Sequence, residues 1–165
     1  MEDFLSSIKT IDPQAAVKRY RKGEVVQHAG NPRASALYVQ KGLLRSYLID
    51  SKGKEHIYMF APEGWIIGDL EAMEYEQPVE LFIDCLEDAE VIPFNKDAMF
   101  NTSLFPDKIA EHSRLLYRRV GRLQRRVLML MGTPAIDRYQ YFLKIYPQLP
   151  NRVPQRMIAS YLGIA

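Results

Sequence analysis

Hydrophobic and polar positions alternate along this chain in two rhythms, and the change between them falls near Phe94. From Arg21 to Phe94, short runs rich in β-branched and aromatic residues recur: Glu24–Gln27, Ala36–Gln40, Leu43–Ile49, Glu55–Phe60, Val79–Leu86 and Glu90–Phe94. Turn residues punctuate them at Gly23, Gly30-Asn31-Pro32, Lys41-Gly42, Asp50–Gly53, Pro62-Glu63-Gly64 and Gly68-Asp69. Strands this short, spaced by about ten residues with Gly in most turns, predict an all-β barrel or sandwich. Asp50–Gly53, between two apolar runs, is the clearest hairpin. Ahead of this region, residues 1 to 20 read as one or two short helices, with Asp12-Pro13 as the start signal.

After Phe94 the period lengthens to that of a helix. Asn95–Thr102 suits a short helix, and Pro106-Asp107 opens a long one that runs to Met131 with Gly121 as its only glycine. Such a helix is about 37 Å long. Gly132-Thr133-Pro134 closes it, with Thr133 placed to cap the next helix and Pro134 in its first turn. That next helix spans Ala135–Ile145. In the final stretch, Asn151–Ala165, the residues Met157, Ile158, Tyr161 and Leu162 share one apolar face. Gly163 follows where a tight turn needs positive φ, and Ile164 is the apolar plug expected to pack that turn. This segment suits the first helix and turn of a DNA-binding helix-turn-helix, whose recognition helix is then expected after Ala165. It equally suits an ordinary terminal helix stopped by glycine.

In the long helix, Ile109, Ser113, Leu116, Val120, Leu123, Val127 and Leu130 follow a four-three alternation. That is a coiled-coil seam, polar only at Ser113. Arg114, Arg118, Arg119, Arg122, Arg125 and Arg126 flank it. A narrow stripe with charged flanks favours pairing with a second copy, so a homodimer is expected. The competing arrangement folds the helix onto its own β domain, a role open to Leu115, Leu128, Met129 and Met131. The arginine run is weighted as a solvated face rather than a DNA patch.

Composition narrows the class. The chain has 165 residues, 47% hydrophobic and 25% charged, which suits a packed core. A net charge of +2 does not by itself argue for nucleic acid. No apolar stretch is long enough to span a bilayer, and the acidic start, Met1-Glu2-Asp3, is unlike a secretory signal. The single cysteine, Cys85, excludes an internal disulfide and a four-thiolate iron–sulfur cluster within one chain. A reducing cytoplasm fits. His28, His56 and His112 stand apart from one another, so haem or metal ligation is not expected. A cupin-type enzyme needs a His-x-His set with a carboxylate, and a Ser hydrolase needs Gly-x-Ser-x-Gly. Both are absent, and no enzymatic activity is expected.

The order of elements, and several motifs, resemble the Crp–Fnr family of bacterial transcription regulators. The residues that carry the resemblance are Lys22-Gly23-Glu24-Val25, Gly30 and Gly42 around Leu37-Tyr38-Val39, Gly64–Leu70, Val153–Ala159 and Leu162-Gly163-Ile164. Gln77-Pro78 resembles the branch of that family common in Bacteroidetes. The resemblance implies an α+β fold: a double-stranded β-helix of the jelly-roll, cyclic-nucleotide-binding type, then a long dimerisation helix and a partial helix-turn-helix. The implied domains are 1–105 for the sensor, 106–132 for dimerisation and 133–165 for the start of the DNA-binding part. The dimer seam is Ile109, Leu116, Val120, Leu123, Val127 and Leu130. Arg152, Gln155 and Arg156 fall where the family's first helix meets the DNA backbone, which implies phosphate positioning in a complex with double-stranded DNA.

Effector-pocket candidates are Gly68, Asp69, Leu70, Val79 and Glu80. The resemblance implies Gly-Glu at this cassette, with the Glu holding a ribose hydroxyl, and an Arg downstream that neutralises a cyclic phosphate. Here Asp69 replaces the Glu, Val79 replaces the Arg, and Glu80 adds a carboxylate. Lys52 and Lys54 look like hairpin-tip residues rather than substitutes. Cyclic AMP and cyclic GMP are therefore expected not to bind tightly, no cofactor is assigned, and the small-molecule effector is left unidentified. In the implied mechanism, effector binding alters how the paired long helices cross, and Gly132-Thr133-Pro134 passes the change to the DNA heads. The alternative is a stand-alone small-ligand or cyclic-nucleotide-binding module with a helical protein-interaction tail.

Overall fold

The computed structural model describes residues 15–94 and 109–164, without the side chains of residues 109, 111, 112 and 115. The expected helix at Asn95–Thr102 and the Asp12-Pro13 and Pro106-Asp107 start signals lie outside the described residues. So do the side chains of Ile109, Leu115 and His112. The chain divides into two compact units, Met1–Asn101 and Thr102–Ala165.

The first unit is an antiparallel β-roll. Its strands are β1 (Lys18–Tyr20), β2 (Val25–Gln27), β3 (Ala36–Lys41), β4 (Leu44–Ile49), β5 (Glu55–Ala61), β6 (Ile66–Ile67), β7 (Phe82–Cys85) and β8 (Ala89–Phe94). One short helix, α1 (Leu70–Tyr75), interrupts them. The strands form two four-stranded sheets, ordered β1-β8-β3-β6 and β2-β7-β4-β5. Among the sheet neighbours, β4 and β5 alone are consecutive in sequence; every other pairing crosses between distant segments. Period-two alternation fills the space between the sheets with Leu37, Val39, Leu44, Met59, Ala61, Ile83, Cys85, Ala89 and Val91. The Cys85 thiol is buried there, and burial first, then Asp84, Glu24 and Asp88, pushes its pKa up to about 12. On the opposite face of the first sheet, Ala36, Tyr38, Ile92 and Phe94 pack against Met73 of α1.

The β4–β5 hairpin forms at the expected place. Gly53 donates to the Asp50 carbonyl at 2.9 Å, and Asp50 donates to the Lys54 carbonyl at 3.0 Å. The Asp50 carboxylate collects His56 Nε2 at 2.8 Å and the amides of Lys52 and Lys54. These contacts, that of His56 first, hold its pKa down to about 2. Lys52 and Lys54 are exposed at the tip.

Several expectations change. Residues 15–20 are extended rather than helical, because Lys18↔Val91 and Tyr20↔Ala89 pair β1 with the edge of β8. The expected strand Val79–Leu86 shrinks to Phe82–Cys85. Val79 instead exchanges backbone hydrogen bonds with the 30–31 turn. Gly42 shows why the punctuation matters. Its φ is +89°, and a Cβ there would stand 2.4 Å from the Asp88 carbonyl oxygen. Gly42→Ala is expected to lower stability by about 3 kcal/mol, from positive φ plus a clash with backbone that cannot yield, measured by urea denaturation.

The second unit contains α2 (Ile109–Gly132), α3 (Ala135–Ile145), a 3-10 turn (Leu149–Asn151) and α4 (Gln155–Tyr161). Thr133 does not cap α3: Pro134 holds the cap position with φ −55° and ψ 149°, and no side chain makes a cap hydrogen bond. The small core joins Met129, Phe142, Tyr146, Leu149, Val153, Ile158 and Leu162. Phe142, Tyr146 and Tyr161 meet with ring centroids 5.3 to 5.8 Å apart.

Candidate functional site

The cassette is built from a turn, a two-residue strand and a helix cap. Gly64 donates to the Val39 carbonyl at 2.8 Å, and Val39 donates back to Trp65 at 2.9 Å. These bonds tie the turn to β3. Ile66 and Ile67 then pair with Tyr38 and Leu37. Gly68 passes so close to β3 that a Cβ would lie 3.0 Å from the Ser35 carbonyl oxygen and 3.2 Å from Ala36 Cα. Only a residue without a side chain fits that approach without displacement.

Asp69 is the centre of the cassette. It is 6% exposed and N-caps α1, with Oδ1 accepting from the Ala72 amide at 3.2 Å. Oδ2 accepts from the amides of Glu80 at 2.9 Å and Leu81 at 3.3 Å. The structure thus brings Gly68, Asp69, Val79 and Glu80 together, with Asp69 as the link. Val79 is 2% exposed and is held by Gly30 and Asn31. The Glu80 side chain is exposed, and Leu70 is partly so. Two successive amides that face one way form a natural anion seat. In this chain the seat already holds the carboxylate of Asp69. Glu71, in the first turn of the capped helix, and Glu80, whose amide binds Asp69, are both exposed. Carboxylates at these positions disfavour an incoming anion.

The roll also holds a buried ion cluster that the sequence analysis did not single out. Arg45, 6% exposed, grips Asp84 with Nε and Nη2, both at 2.8 Å, and Glu55 with Nη1 at 2.6 Å. Its guanidinium lies 4.3 Å from the Tyr47 ring centroid. Burial opposes the charge, but the hydrogen bonds that Arg45 donates to Asp84 and Glu55 outweigh it and hold the pKa above the ordinary arginine value. Arg45 and Asp84 each interrupt an apolar strand on the face opposite Leu44 and Ile83. That interruption is the signal a sequence reading can use, although it does not reveal that the two strands are adjacent.

On α2, the seam residues Leu116, Val120, Val127 and Leu130 are 50%, 52%, 56% and 43% exposed. Leu123 is half-buried. Met129, off the seam, is buried in the helical unit. Leu128 and Met131 are exposed.

The turn after α4 has the expected positive φ of +64° at Gly163. Gly163 donates to the Ser160 carbonyl at 3.1 Å and Ile164 donates to that of Ala159 at 3.0 Å, a Schellman closure. Ile164 is not the plug: it is 49% exposed, and Leu162, at 5%, fills the space instead. The reason is the αL turn, which directs the chain away from the core after Leu162. Gln155 and Arg156 are exposed at the start of α4, and Arg152 is half-buried beside them. Arg126, weighted earlier as part of a solvated face, is half-buried and donates from Nη2 to the Tyr161 carbonyl at 3.0 Å. Among the described residues, no helix is long and apolar enough to cross a membrane.

Residues 17–102 match the family model described as a cyclic nucleotide-binding domain. Three solved structures share the fold. The c-di-GMP responsive global regulator CLP of Xanthomonas campestris is 19% identical over 98% of this chain and 86% of its own, with a TM-score of 0.73. A cysteine-to-serine variant of CprK complexed with OCPA is 16% identical over 100% of this chain and 78% of its own, with a TM-score of 0.70. FixK2 from Bradyrhizobium japonicum is 21% identical over 92% of this chain and 78% of its own, with a TM-score of 0.67. At these identities the likeness concerns the fold. No curated protein matches the chain.

Proposed function

We infer that this chain, which belongs to the cyclic nucleotide-binding domain family, is the sensor and dimerisation portion of a Crp–Fnr-type transcription regulator that acts as a cytoplasmic homodimer on double-stranded DNA. The observation that carries the reading is the half-exposed apolar ridge on α2, at Leu116, Val120, Val127 and Leu130, in a chain that also holds the roll. A ridge in heptad spacing is suited to a second copy of itself. The domain limits of the reading are 1–105, 106–132 and 133–165, with the Gln77-Pro78 dipeptide pointing to the Bacteroidetes-type branch.

Arg152, Gln155 and Arg156 contact DNA phosphates in this reading, with sequence readout assigned to a helix beyond Ala165. The 165-residue chain is then expected to bind duplex DNA weakly, without sequence preference and with affinity falling steeply as salt rises. Tight, sequence-selective binding by this chain alone in a gel-shift series would contradict that assignment. A stop codon directly after Ala165 would favour the stand-alone ligand-binding module instead.

In this reading an effector is bound beside Gly68, Asp69, Leu70, Val79 and Glu80, and it is neither cyclic AMP nor cyclic GMP. What supports this is the Asp69 carboxylate seated on the Glu80 and Leu81 amides, with Val79 buried where a cationic side chain would have to reach. A cyclic phosphate has to displace a capping carboxylate and then sit beside Glu80 without a counter-ion, which costs several kcal/mol. Titration calorimetry with cyclic AMP and cyclic GMP is expected to show no binding in the micromolar range. A micromolar dissociation constant for either nucleotide overturns the exclusion.

A further inference from the structure

We propose that Arg126 and Arg138 are positioning residues: Arg126 locks the end of α4 to α2 and Arg138 locks it to α3, so that α2 from Arg126 onward, α3 and α4 form one rigid head. The proposal takes its purpose from the reading of α4 as part of a DNA reader, while the lock itself rests on geometry. The last carbonyls of a helix lack intrahelical partners and carry partial negative charge. In α4, the Schellman turn supplies amides to Ala159 and Ser160. The next three carbonyls receive guanidinium groups from other helices. Arg126 Nη2 reaches Tyr161 at 3.0 Å, and Arg138 Nη1 reaches Leu162 at 2.7 Å and Gly163 at 3.5 Å. The Arg126 guanidinium also lies 4.1 Å from the Tyr161 ring centroid.

The turn itself is seated on α2. A Cβ at Gly163 would stand 3.0 Å from Leu130 Cδ2 and 3.5 Å from Arg138 Nη1. The direction in which the chain leaves Gly163 is therefore set by two charged contacts and one packing contact. Arg126 precedes the Gly132-Thr133-Pro134 break, and α4 follows it. The Arg126 contact thus spans the break. While it holds, the break is a fixed corner rather than a joint, and any swing of α4 relative to α2 requires Arg126 to let go first. Both arginines face carbonyl oxygens, which separates them from the exposed Arg156, whose guanidinium is open to a phosphate.

The test uses the 165-residue chain with spin labels at the exposed positions Gln124 and Gln155, diluted with unlabelled chain so that only distances within one protomer are read. Hydrogen exchange of α3 reports whether the unit remains folded. The wild-type chain is expected to give one narrow distance. Arg126→Gln and Arg138→Gln together are expected to broaden it into a wide distribution and to speed exchange of the α4 amides by about tenfold or more, while α3 exchange stays unchanged. An unchanged distance in the double variant overturns the lock. Loss of protection in α3 together with α4 also overturns it, because the arginines would then maintain the fold of the unit rather than the placement of one helix. Failure of the wild-type chain to bind DNA leaves this readout intact and removes only the function proposed above.

Discussion

Val120→Glu is expected to give monomers in sedimentation equilibrium where the wild-type chain, in the reading proposed above, pairs as a dimer. Val120 lies near the middle of the ridge and is 52% exposed in the single chain. Pairing two ridges removes the remaining apolar surface of Leu116, Val120, Val127 and Leu130 from water. At about 25 cal/mol per Å2, that burial is a dimer's main source of stability, before the costs of association. In a parallel pair, residue 120 of one helix faces residue 120 of the other. Two glutamates there either lose their hydration beside a like charge or take up protons. The combined loss is about 4 kcal/mol or more, which weakens association by roughly a thousandfold. Gln124→Glu, on an exposed position beside the ridge, is expected to leave the dimer intact. Sedimentation equilibrium decides between the outcomes. An intact Val120→Glu dimer places the interface elsewhere and removes the observation on which the proposed function rests.

Arg45→Ala is expected to destabilise the β-roll by about 3–5 kcal/mol in urea unfolding, more than any single apolar truncation on its surface. The reason is the partner left behind. Asp84 is 9% exposed and takes both forks of the guanidinium. With Arg45 removed, a buried carboxylate has no counter-ion, and that uncompensated charge dominates the cost. Glu55 behaves differently: its side chain is 46% exposed, so solvent replaces the lost contact. Glu55→Gln is expected to cost less than about 1 kcal/mol. Replacing both buried members, Arg45→Met with Asp84→Leu, removes the charge pair together and is expected to restore most of the stability. If Arg45→Ala alone proves as mild as Glu55→Gln, the cluster is hydrated in solution and the burial argument fails.

The elements that sequence reasoning placed well are those whose cause is local. The β4–β5 hairpin follows from Asp50 to Gly53, because the turn chemistry and both strands lie within one short segment. Helix α3 follows from the stop at Gly132, the proline at 134 and an amphipathic run to Ile145. The positive φ at Gly163 follows from glycine after an apolar helix face. Elements misplaced or missed depend on distant partners. Lys18-Arg19-Tyr20 carries no strand pattern of its own and is a strand because β8 offers it an edge. Helix α1 is made of helix-favouring residues but has only six of them, too few for a periodic pattern; Asp69 caps it and Met73 anchors it against β3 and β8.

The candidate site divides along the same line. Gly68, Asp69, Val79 and Glu80 could be selected from motif spacing, but that spacing does not say what Asp69 does. The chain brings the Glu80 and Leu81 amides onto its carboxylate across eleven and twelve residues. Arg45 reaches Asp84 across 39 residues, and Arg126 reaches Tyr161 across 35. Composition, periodicity and turn chemistry act within a few residues, so they establish an all-β region followed by an amphipathic rod and a glycine-stopped helix. Which carboxylate fills the cassette, which cation is buried and which arginines hold the last helix depend on contacts between remote segments. Those contacts exist only once the two sheets have closed over their core and the helices have packed at the end of the rod, because burial and a fixed geometry are what make a single charged pairing decisive.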